Sequence, residues 1–197
     1  MRARLFMGGF LAISFAWMTS TNPINADDKG NLRASVQKIA DALAKDDAAG
    51  ATRLAADVAK SIELEEAMNL MKRHDTAKDK SKVFGMGEPA GSIKPDGIEA
   101  KILGLGKINK SQFEKESSAL ATMADRVAAI ALIAKAKAPE KDEGAKKKKD
   151  WLEWVGAMES SALELASAAR AKNLADLKKA STKLNSACAN CHGVFRD

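Results

Sequence analysis

The sequence predicts an all-α fold: an antiparallel four-helix bundle with an extra N-terminal helix and a long glycine-rich loop. Three observations lead there. The 197 residues are 46% hydrophobic and 29% charged but only 5% aromatic, with no Tyr and 4 Pro, a balance that favours helices and excludes a strand-rich sandwich or barrel. Apolar residues recur at spacings of three and four in five stretches, the period of a half-buried helix. Short turns with capping residues separate several of them, as between antiparallel neighbours. The length suits one domain of ordinary size.

Residues 1–26 are expected to be an address rather than part of that fold. Arg2 and Arg4 precede an apolar run from Leu5 to Met18, and Thr19-Ser20-Thr21-Asn22 then turns polar, the layout of a secretory signal peptide. The apolar run is shorter than the roughly 20 residues a membrane-spanning helix needs. Cleavage is expected after Ala26, although Ile24 is large for its place before the cut, and no Cys lies nearby to carry a lipid. The mature domain, residues 27–197, is thus expected to be exported, periplasmic or otherwise outside the cytoplasm, with no membrane span. Losing Arg2 and Arg4 takes the formal charge from +6 to +4. That surplus suits an acidic partner protein, and without an aromatic-rich basic patch nucleic acid is not an expected partner.

Leu32, Val36, Ile39 and Leu43 place a first helix. Asp46-Asp47 breaks it and caps a second along Leu54, Val58 and Ile62, whose apolar phase shifts at Leu64, Met68 and Met71, so a bend is expected near Ser61. From Thr76 to Lys110 glycines and prolines dissolve the pattern. A stretch that long inside a compact domain is a functional loop or packs over the bundle. Ser111 with Glu114 reads as a capping box opening a third helix along Phe113, Leu120, Met123, Val127 and Ile130, which Pro139 stops. Residues 135–150 form a charged linker whose lysine run reads as a solvated turn. Asp150 with Glu153 signals the fourth helix, with an inward stripe of Trp151, Val155, Met158, Ala162, Leu165 and Ala169. Asn173 caps a fifth, striped by Leu177, Ala180, Leu184, Ala187, Cys188, Cys191 and Phe195. The turn Ala171-Lys172-Asn173 is similar to Ala44-Lys45-Asp46, a hint of two related hairpins.

The chemistry is concentrated in Cys188-Ala-Asn-Cys191-His192, which holds both cysteines of the chain. On a helix these residues fall at i, i+3 and i+4, so two thiols and an imidazole project over neighbouring turns. A haem with two vinyl groups needs that set: two thioether bonds, and His192 coordinating iron from one side. Three other readings compete. A thioredoxin-like dithiol needs a helix after the motif, whereas six residues remain. Zinc would find three ligands and needs a fourth, and nothing brings His74 there. A Cys188–Cys191 disulfide would be strained within a helix.

The terminal segment KLNSACANCHGVFRD resembles class II c-type cytochromes, the cytochrome c-prime family, strongly over residues 148–197 and faintly elsewhere. The resemblance implies a four-helix bundle holding one covalent haem c near the C-terminus, with Cys188 and Cys191 carrying it, His192 as proximal ligand, and Arg196 near the haem edge. The 76–110 stretch and the extra helix depart from the family pattern and leave the distal side undetermined.

The distal ligand decides the function. A Met on iron would make a six-coordinate electron carrier, and an open side would leave iron free for NO or CO. The candidates are Met68, Met71, Met86, Met123, Met158 and His74, or none of them. No placed distal acid–base group suggests an enzyme. The leading expectation is a periplasmic mono-haem cytochrome acting in electron transfer with a redox partner protein. A five-coordinate gas-binding haem protein and a metal-free secreted bundle are the alternatives. The redox potential and oligomeric state, a homodimer included, are left open.

Overall fold

The computed structural model describes residues 31–196, which form seven α-helices and no strand beyond one isolated bridge, Glu143 to Lys146. The predicted signal peptide lies outside the described residues. Helices α1 (Leu32–Ala44) and α2 (Ala48–Ala59) make one hairpin, and α6 (Lys148–Arg170) and α7 (Leu174–Phe195) make another. Between them in sequence lie two short helices, α3 (Leu64–Asn69) and α4 (Ile98–Gly104), and the longest, α5 (Lys110–Ala136). The first hairpin packs on α5, α5 on α6, and α6 on α7. The chain is thus the expected all-α bundle, with the break in the second predicted helix falling between Ala59 and Leu64.

The two hairpins share one turn. Asp46 and Lys172 adopt positive φ, at 59° and 53°. Their N–H groups donate to carbonyls three residues back, Leu43 and Ala169, and the N–H groups of Asp47 and Asn173 donate five back, to Ala42 and Ala168. This is the Schellman arrangement, and the residue completing it caps the next helix in each case. Asp47 accepts from Gly50 N–H, and Asn173 accepts from the N–H groups of Ala175 and Asp176. The structural correspondence is Asp46 with Lys172, one residue offset from the pairing that the Ala-Lys letters suggest.

The predicted apolar stripes are the core. Val36, Ile39, Leu120, Val127, Ile130, Leu165, Leu177 and Leu184 are fully buried, each worth about 1.5–3 kcal/mol of transfer free energy. Helix α5 is long and apolar enough to cross a membrane by length and composition, yet 78% of its apolar window is buried inside the protein, as befits the central helix of a bundle. Trp151 Nε1 donates to Ala134 O at 2.9 Å, fixing the start of α6 to the end of α5. Asp125 and Arg170 pair across the same two helices.

Two helix starts differ from expectation. Asn109, not Ser111, caps α5, accepting from Gln112 N–H at 2.9 Å; an Asn side chain two residues upstream takes the role first. Helix α6 begins at Lys148 with no side-chain cap from its N-cap residue, Lys147, whose ammonium cannot accept a hydrogen bond; Asp142 reaches forward from the linker to accept the Lys148 N–H instead. Asp150 then lies in the first turn, where a carboxylate still favours the helix dipole.

The 76–110 stretch packs over the bundle and is not structureless. It buries Val83, Phe84, Met86, Ile98, Ile102, Leu105 and Ile108. Helix α4 emerges from it, and the buried Lys101 ammonium lies 2.5 Å from Glu116 on α5.

Candidate functional site

A groove of about 700 Å³ runs between α7, α6 and the segments carrying α3 and α4. Cys188, Cys191, His192 and Arg196 all line it. Helix α7 presents them together because the 188–192 spacing spans about one turn. Helix α6 contributes Trp151, Trp154, Val155 and Met158, the residues that counting back from the Asn173 turn places beside the motif. The opposite wall carries Leu64, Met68 and Met71 from α3 and just beyond it, and Glu99, Ile102 and Leu103 from α4.

Both cysteines are free and half-buried. Burial pushes the Cys188 thiol up to about 11, helped by the Glu99 carboxylate and by Cys191, and burial alone raises Cys191. The His192 imidazole has no hydrogen-bond or ion-pair partner among the described residues. Phe195 closes the end of the groove, packing edge-on against both Trp151 and Trp154. Leu103 is 68% exposed at the groove, the most exposed large apolar side chain among the described residues. Two free thiols, an unengaged ring nitrogen and largely apolar walls fit a flat macrocycle with one polar edge. Lys72 and Arg196, both exposed, supply the groove's cations. Among the described residues no cluster of three or more His, Cys, Asp or Glu is arranged for a metal ion.

Three expectations change here. Met86 and Met123 are 2% and 1% exposed and lie outside the groove lining; they are core, which reduces the methionines of the groove to Met68, Met71 and Met158. His74, a candidate distal ligand, does not line the groove. Its Nδ1 lies 2.8 Å from Asp96 Oδ2, with only 12% of the side chain exposed. The wall made by α4 was not foreseen. Its signal, Ile98, Ile102 and Leu105, covers barely two turns between glycines, too short for periodicity to stand out.

An all-α bundle with a haem-type motif at the end of its last helix defines a class of helical cytochromes. Residues 94–196, from α4 to the end of α7, match the family model described as Cytochrome C', and the chain belongs to that family of haem-binding cytochromes. The match reaches further toward the N-terminus than the terminal motif alone and takes in α5. Comparison with curated proteins and with solved structures gave no match.

Proposed function

We propose that the protein is an exported, periplasmic mono-haem c-type cytochrome that carries electrons, with haem c bound through thioether bonds to Cys188 and Cys191. The observation that carries this reading is the convergence of both thiols, His192, Arg196 and three methionines on one groove. Haem c supplies a one-electron iron couple when bound. The chain's residues do the rest. Helix α7 would present His192 to the iron, because a thioether bond at the adjacent Cys191 would fix that turn. Trp151, Val155 and Phe195 exclude water from one side, and burial in such apolar surroundings is one of the levers that set a haem potential. Arg196 and Lys72 offer charge to the carboxylate edge. Met68, Met71 and Met158 line the groove, and a methionine sulfur in the sixth position would favour electron transfer over gas binding. The partner is a redox protein with an acidic docking face, matched to the basic balance of the chain.

The visible spectrum of the purified ferrous protein is the test. Sharp low-spin bands are the expected outcome. A broad high-spin spectrum shifted by CO would make it a five-coordinate haem protein for small gases, and the absence of any haem band would leave a metal-free bundle.

A further inference from the structure

The groove wall formed by α3 and α4 rests on helices of six and seven residues, too short to hold their place by helix formation alone. What ties them together is the pairing of their flanking segments. The segments that follow α3 and precede α4 run side by side: Glu99 N–H donates to Met71 O at 3.1 Å, and His74 N–H donates to Asp96 O at 3.0 Å. Gly97, at φ 149°, permits the approach, since a Cβ there would stand 2.7 Å from the Arg73 Cα.

Asp96 closes this junction. Its side chain is 2% exposed. One oxygen lies 2.8 Å from His74 Nδ1, and the other accepts Met86 N–H at 2.8 Å. The Met86 carbonyl in turn accepts from Gly91 and Ile93, and Phe84 N–H donates to Leu70 O at 2.8 Å. One buried carboxylate therefore joins three chain segments, and two of them continue directly into groove-lining residues, Met71 and Lys72 on one, Glu99 and Ile102 on the other. Lys94 Nζ stands 3.8 Å from the same carboxylate, while Arg73 pairs with Asp75. A carboxylate this buried is tolerated only with its partners in place.

We propose that His74 and Asp96 are positioning residues that buckle the α3–α4 wall shut and so set how readily a small ligand reaches a haem in the groove. The proposal rests on the haem reading above. The wall opens by parting the 70–74 and 96–99 segments, and the His74–Asp96 bond must break for that to happen.

The test uses the full holoprotein and three variants. In His74→Ala and Asp96→Asn, each compared on a background with Met68, Met71 and Met158 replaced by Leu so that the sixth position is open, CO should combine with the ferrous haem about tenfold faster after flash photolysis, the factor for loss of one charged hydrogen bond from the closed state. In His74→Asn the amide nitrogen takes the place of Nδ1, and the rate should return to that of the parent. Hydrogen exchange on the same chains should show the Met86 and Glu99 amides losing about tenfold protection in His74→Ala and keeping it in His74→Asn. Unchanged CO rates in all variants overturn the proposal, and lost protection without a change in rate reduces the pair to a fold-stabilising role. A parent chain without haem defeats the functional reading and ligand access with it, while the exchange data still report whether the buckle exists.

Discussion

Trp151 packs edge-on against Phe195, with ring centroids 4.8 Å apart and planes at 87°, so the first turn of α6 meets the last turn of α7 beside His192. Trp154 reaches the same ring at 5.9 Å. Both indoles line the groove. The chain has no Tyr, and its third Trp, Trp17, falls in the predicted signal peptide. Indole emission in the mature holoprotein should therefore be strongly quenched by energy transfer to haem, and should recover several-fold in a folded Cys188→Ala/Cys191→Ala variant. Bright emission from folded holoprotein would mean that no haem lies against this aromatic end of the groove.

Covalent attachment is the second prediction. Protein made with a cytochrome c maturation system should carry the mass of one haem that survives acid–acetone extraction, and haem that extracts would sink the thioether assignment. Because a group bound only by the native state stabilises it, the double Cys→Ala variant should also melt lower than the holoprotein. Equal melting temperatures would place the haem outside the core.

The helices and the motif could be read from sequence because each rests on a local pattern. Val36 and Ile39, or Leu177 and Leu184, recur over several turns, and Cys188, Cys191 and His192 lie within a single turn. The α3–α4 wall could not be read that way. It depends on contacts between residues more than twenty apart, such as His74 with Asp96, and on a glycine that lets two backbones touch. The same limit explains the methionines. Spacing puts Met68 and Met123 alike on apolar stripes and leaves Met86 in a stretch without a pattern, and only tertiary packing separates the first, in the groove wall, from the other two, in the core.

That separation yields a third prediction. Leu substitutions at Met68, Met71 and Met158, scanned one at a time, should include one that converts a low-spin ferrous spectrum to high-spin by removing the sulfur ligand. Met86→Leu and Met123→Leu should leave the spectrum alone and cost less than about 1.5 kcal/mol of stability, as near-isosteric core changes do. His192→Ala should lose haem or change its spin state. A low-spin spectrum that persists through all three groove substitutions would remove methionine from the sixth position.

Haem-free protein offers the last prediction, through Cys188. Burial is the main cause that raises this thiol from 9.0 to about 11, followed by the Glu99 carboxylate and Cys191. In the folded chain it is protonated at neutral pH, and a protonated thiol is a poor nucleophile. Iodoacetamide should thus modify Cys188 slowly at pH 8 in the folded apoprotein, far slower than in urea, and the rate should rise about tenfold per pH unit and level off only above about 11. The consequence for stability follows from linkage. Between pH 9 and pH 11 the unfolded chain has lost the thiol proton while the folded chain keeps it, so the folded state binds more protons and its stability falls as the pH rises through that window. Below pH 9 both states hold the proton and the term is constant. Cys188→Ala should flatten this part of the urea-midpoint profile. Glu99→Gln should shift it only modestly toward lower pH, because the carboxylate is the smaller cause. Rapid alkylation of folded Cys188 at pH 8 would show that the thiol faces water, and α4 would then not cover the attachment site.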